Sequence, residues 1–101
     1  MRTAFVLRVQ PDRIDEYVEA HERVWPDMLA ALRAAGVRNY TIFRSGNEMF
    51  GYFEADDLAA AELYLSRQEV CTRWQDEMAA LLEERVPDAG PPALVEVFRL
   101  D

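Results

Sequence analysis

The apolar pattern of this chain predicts an α+β fold, a four-stranded antiparallel sheet carrying helices on one face. Three observations support that reading. Thr3 to Val9 and Leu94 to Leu100 alternate like strands at the two ends of the chain, while helical spacing fills the stretches between them and a central strand pair. The resulting order (strand, helix, strand, strand, helix, strand) is the split βαβ or ferredoxin-like plan. With 101 residues, half of them hydrophobic, the chain can bury one compact core, and residues 1–101 read as a single domain.

Each element has a local reason. In the first strand Phe5, Leu7 and Val9 share one face. Pro11-Asp12 then opens a helix, where an early proline and early acids are favourable. Ile14, Tyr17, Val18, His21, Trp25, Met28, Leu29 and Leu32 repeat at helical spacing until Gly36 supplies a stop. Pro26 interrupts this run, and the missing amide and bulky ring predict a kink just after the aromatic residues. Val37 to Arg44 and Glu48 to Ala55 read as strands joined by a turn at Ser45-Gly46-Asn47. Tyr40 and Ile42 share a face of the first, and Met49, Gly51 and Phe53 share a face of the second. Asp56-Asp57 begins a second helix through about Leu65, and Ser66 with Glu69 resembles a capping box for a third over residues 67 to 84. Val70, Cys71, Trp74, Met78, Leu81 and Leu82 make the apolar stripe of that third helix, and Pro87 to Pro92 reads as a loop.

The sheet has apolar residues on both faces: Val6 opposes Phe5 and Leu7, and Phe50 and Tyr52 oppose Met49 and Phe53. Helices cover one face only, so the other predicts a homodimer formed by sheet-on-sheet contact. The net charge of −8 argues against binding nucleic acid or an anionic membrane surface, both of which require clustered Lys and Arg. The lone Cys71 has no disulfide partner and no metal motif around it. The first ten residues lack the apolar run of a signal peptide, and a cytoplasmic protein is the expectation.

The chemistry narrows quickly. The sequence has no Gly-rich phosphate loop, no paired-cysteine site and no histidine pair, so neither a cofactor nor a metal is expected. His21 is the sole histidine, one helical turn from Tyr17 and from Trp25. An imidazole among aromatic rings is suited to moving a proton on a flat, partly polar ligand near neutrality. The same spacing also describes an ordinary core histidine.

Several segments resemble, in order and spacing, the L-rhamnose mutarotases: Ala4-Phe5-Val6, Glu16-Tyr17 followed by His21, Val24-Trp25-Pro26-Asp27, Asn39-Tyr40-Thr41-Ile42, Val70-Cys71-Thr72-Arg73-Trp74 and Glu96-Val97-Phe98. The resemblance implies a dimeric α+β barrel that interconverts sugar anomers without a cofactor. It implies His21 as the catalytic group and Tyr17, Tyr40 and Trp74 as substrate-binding residues. The family's second tryptophan is Gln75 here, an amide able to bind a hydroxyl, and the loop from Val86 to Pro92 is shorter than the family's. Tyr, water, Glu54 or Glu96 are open as the opposing base. Trp25 and Cys71 read as packing residues. Two other readings share the architecture: a cofactor-independent monooxygenase or haem-binding protein, and a non-catalytic sugar-binding module.

Overall fold

The structure is a computed structural model and describes residues 1–87 and 90–101. The elements run β1 (Arg2–Arg8), α1 (Ile14–Glu22), α2 (Pro26–Ala34), β2 (Arg38–Ser45), β3 (Glu48–Glu54), α3 (Leu58–Ser66) and α4 (Glu69–Ala79). The strands form one antiparallel sheet in the order β1-β3-β2. These are the positions that three of the four ferredoxin-like strands occupy.

The expected fourth strand, Leu94 to Leu100, does not form among the described residues. Register explains why. The Leu94 amide donates to the Ala4 carbonyl at 2.7 Å, and Arg2 pairs with Glu96, so the tail runs antiparallel to the first half of β1. From Val97 onward it has passed the beginning of β1 and has no backbone left to pair with. The other end of the same edge is already taken. Val9 bridges Leu82, the Glu83 amide donates to Arg8 and the Gln10 amide to Leu81. Val95, Val97, Phe98 and Leu100 are therefore left strongly exposed.

The first helix is also divided, not merely kinked. Pro26 stands at the first position of α2, where its missing amide is harmless, and α1 has already ended at Glu22. The expected capping box is absent. Gln68 precedes α4 without a side-chain cap, and Ser66 instead donates to the Leu63 carbonyl at 2.8 Å. That helix stops at Ala79, short of residue 84, so that residues 81–83 can pair with β1. Asp57 caps α3, accepting from the Ala60 amide at 3.0 Å. Of the predicted loop Pro87 to Pro92, Asp88 and Ala89 lie outside the described residues.

The inner face of the sheet presents Phe5, Leu7, Ile42, Met49 and Phe53. Tyr17, Met28, Ala31, Cys71, Trp74 and Met78 meet it from α1, α2 and α4. A register shift between Arg38 and Thr41 places one extra residue in β2, absorbed by Asn39 at a φ of 53°. Tyr40, the next residue, lies face to face with Phe53 at 5.2 Å between ring centroids and edge-on to Phe5 at 6.1 Å. Gly51 stands opposite Phe5 in the β1–β3 register, and a Cβ there would overlap the Phe5 ring. Gly51→Ala should therefore cost about 1–3 kcal/mol through overpacking, read as a lower Tm in thermal unfolding.

Candidate active site

Between the inner face of the sheet and the helices lies a cavity of about 400 Å³. A recess of about 50 Å³ adjoins it, and His21, Tyr40, Trp74 and Gln75 line both spaces. Tyr17 lines the recess alone. The five residues singled out from the sequence thus converge on one site from three different elements. The cavity continues away from them along an apolar wall that includes Met28, Leu29, Leu32 and Leu65.

His21 sits in the last turn of α1, where carbonyls lack intrahelical partners. Its Nδ1 is 2.8 Å from the Tyr17 carbonyl oxygen. A carbonyl can only accept, so Nδ1 carries a proton and Nε2 is left with its lone pair in the neutral ring. Burial pushes the His21 pKa below its ordinary value, and the backbone hydrogen bond opposes that shift more weakly. The neutral ring with a basic Nε2 is then the resting form at neutral pH.

Aromatic contacts hold this ring in place. Tyr17 lies against it at 4.2 Å between centroids, tilted by 32°, and Trp74 meets it edge-on at 5.4 Å. Trp25 packs edge-on against Trp74 at 5.1 Å, and the Arg73 guanidinium lies 5.5 Å from the centre of the Trp25 ring. Trp25 is therefore a support behind the cavity wall, as its reading as packing anticipates. Cys71 is buried but lines the larger cavity, and burial raises its thiol pKa.

Both phenols are held protonated. Burial pushes Tyr17 up to about 12. Burial, and then the nearness of Tyr17, push Tyr40 higher still. Although 40% of the Tyr40 surface counts as accessible, that exposure does not keep its hydroxyl in bulk water, because the ring forms part of the cavity wall. At neutral pH each of these hydroxyls is a hydrogen-bond donor and a poor base.

The two carboxylates considered as bases lie elsewhere. Glu54 accepts from the Tyr52 hydroxyl at 2.8 Å and from Asn39 at 3.3 Å, and Glu96 pairs with Arg2. Neither lines the cavity. Glu62, on α3, does line it, and the sequence reading passed it over. The signal was available: Leu58, Ala61, Glu62 and Leu65 form one helical stripe with a carboxylate in it.

With this geometry in view, comparison with known proteins is decisive. The family profile described as L-rhamnose mutarotase matches residues 2–100. The chain belongs to the L-rhamnose mutarotase family. An L-rhamnose mutarotase of Pectobacterium atrosepticum is 37% identical over 105 residues, covering 100% of this chain and 99% of the relative. That of Bacillus subtilis is 36% identical over 104 residues, covering 99% and 98%. The crystal structure of an L-rhamnose mutarotase from Formosa agariphila superposes with a TM-score of 0.78 at 30% identity, covering 100% of this chain and 99% of the other. Tetracenomycin F2 cyclase from Streptomyces glaucescens, at 20% identity, a TM-score of 0.71 and coverage of 100% and 97%, shares the fold. Membership in the mutarotase family selects the first of the readings that the sequence left open.

The depressed His21 pKa has a measurable consequence. Its ring should titrate with a midpoint below the ordinary value of about 6.5, followed through the imidazole carbon-bound proton signals in NMR. The folded state holds this proton less tightly than the unfolded chain does. His21 therefore contributes stability above the ordinary imidazole value, and that contribution is lost as pH falls through its lowered pKa.

Proposed function

We propose that this isomerase interconverts the α and β anomers of L-rhamnose, with His21 as its proton carrier. The observation that carries the reading is the orientation of one ring: Nδ1 is committed to the Tyr17 carbonyl, which leaves Nε2 for the cavity that His21 lines. Anomer exchange requires the hemiacetal to open, the C1–C2 bond to rotate, and the ring to close on the other carbonyl face. The Nε2 lone pair takes the proton of the anomeric hydroxyl as the C1–O5 bond breaks. The electron pair of that bond stays on O5, and the imidazolium returns the same proton there. Because both oxygens are attached to C1, one nitrogen can reach both, and no separate base is needed. Closure reverses the steps.

The tyrosines assist as neutral donors. Tyr40 hydrogen-bonds an oxygen at the reacting centre, where a negative charge develops, and Tyr17 stiffens the histidine it stacks upon. Trp74 offers a flat apolar wall to the C–H face of the sugar, and Gln75 offers an amide to a hydroxyl. The sugar already mutarotates without help, so the site has only a modest barrier to remove. A positioned acid–base group typically supplies ~10²–10⁴-fold.

The assembly we propose is a cytoplasmic homodimer in which the outer faces of two sheets meet. Phe43 is 66% exposed and Phe50 39% exposed on that face, adjacent in register, and the apolar tail lies exposed at the sheet's end. Converting both Phe43 and Phe50 to Asp should give a folded monomer by light scattering after gel filtration. An unchanged dimer would move the contact elsewhere.

Saturation-transfer NMR on L-rhamnose tests the catalytic reading. The wild-type protein should carry saturation between the anomeric proton signals, and His21→Ala should lose at least about 10²-fold of that exchange rate. The wild-type rate should fall on the acid side, with a midpoint below about 6.5, as His21 gains its second proton. Full exchange by His21→Ala would refute the assignment.

A further inference from the structure

Helix α3 is unusually apolar for a helix at the surface. Its sequence, Leu58-Ala59-Ala60-Ala61-Glu62-Leu63-Tyr64-Leu65-Ser66, holds a single charged residue. Ala61 is buried at 2% exposure and Leu65 lines the cavity, so the side of the helix that carries residues 61, 62 and 65 is the one that borders the site. Glu62 lines the cavity beside Leu65. Leu63 and Tyr64 are 52% and 39% exposed and line neither the cavity nor the recess. Glu62 is exposed to solvent as well as bordering the cavity, so its charge stays hydrated while its carboxylate can reach a molecule bound there.

Glu62 makes no hydrogen bond or ion pair with another described residue. Glu62 is also the only carboxylate on the cavity wall among the described residues, and the other polar side chains there are Thr3, His21, Tyr40 and Gln75. His21, Tyr40 and Gln75 extend into the small recess with Tyr17, whereas Glu62 borders the large cavity only. The proton-carrying group and the lone carboxylate therefore stand at different parts of one site.

We infer that Glu62 is a specificity-determining residue, accepting hydrogen bonds from a vicinal pair of sugar hydroxyls remote from the anomeric carbon. A carboxylate is acceptor-only and has two oxygens, which matches two neighbouring hydroxyl donors. The inference rests on the mutarotase reading, because it takes the anomeric carbon to lie beside His21. Glu62 moves no proton in the reaction. It fixes which ring hydroxyls must be present, while the apolar wall beyond it receives the part of the sugar that has none.

The test is anomer-exchange kinetics of wild-type protein, Glu62→Ala and Glu62→Gln. The substrates are L-rhamnose and its analogues lacking the 3- or the 4-hydroxyl. For L-rhamnose, KM should rise about ten-fold or more in Glu62→Ala and by less in Glu62→Gln, with kcat within about two-fold of wild type. The wild type should discriminate against at least one of the deoxy analogues, and Glu62→Ala should lose that discrimination. Unchanged KM in both variants, discrimination that survives in Glu62→Ala, or a collapse of kcat at constant KM would each overturn the inference. Absence of exchange by the wild type would instead refute the mutarotase reading, so the two failures are distinct. Glu62 lies exposed on its helix, so both variants should fold, and an unchanged circular dichroism spectrum checks this.

Discussion

Pro26 has no amide proton to give the carbonyl of Glu22, and its ring would collide with that carbonyl if the helix continued. The chain therefore leaves α1 after Glu22 and begins again at Pro26 as α2. This interruption shapes the site. It leaves His21 in a final helical turn, and it lets α2 bring Met28 and Ala31 onto the core separately from Tyr17 of α1. The gap between the two helices and the sheet is the cavity. Trp25, at the interruption, backs Trp74 and so fixes the wall on its far side.

The rest of the site depends on small departures from regular geometry in the sheet. The extra residue at Asn39 lets Arg38 keep its pairing with Glu54 while Tyr40 turns inward next to Phe53. Gly51 leaves the space into which Phe5 folds. One strand irregularity and one missing Cβ thus set where the aromatic floor lies. On the opposite face the sheet presents Phe43 and Phe50 without an intramolecular cover.

Elements that depend on neighbouring residues were legible in the sequence. Alternation located β1, β2 and β3 to within a residue or two, and Asp57 marked the start of α3. Elements that depend on distant partners were not. Leu94 to Leu100 alternates as a strand should, yet its register on β1 begins so near the start of that strand that the partner runs out. The same competition ended α4 early, since residues 81–83 bond to β1 in preference to another helical turn. In the site, spacing and family resemblance together picked out Tyr17, His21, Tyr40, Trp74 and Gln75, all of which line the cavity or the recess beside it. Glu54 and Glu96 stood among the open candidates for the opposing base because their partners, Tyr52 and Arg2, cannot be assigned without the fold. Glu62 escaped notice because a lone glutamate in an alanine-rich helix ordinarily faces solvent.

The aromatic arrangement has an optical consequence. The chain contains two tryptophans, and they are the pair that meets edge-on behind and within the cavity wall. The indole emission of this protein thus originates from Trp74, which lies edge-on to His21, and from Trp25, one ring contact further away. A charged imidazolium quenches a neighbouring indole more strongly than the neutral ring does. The fluorescence of the whole chain is therefore a built-in gauge of the protonation of one side chain.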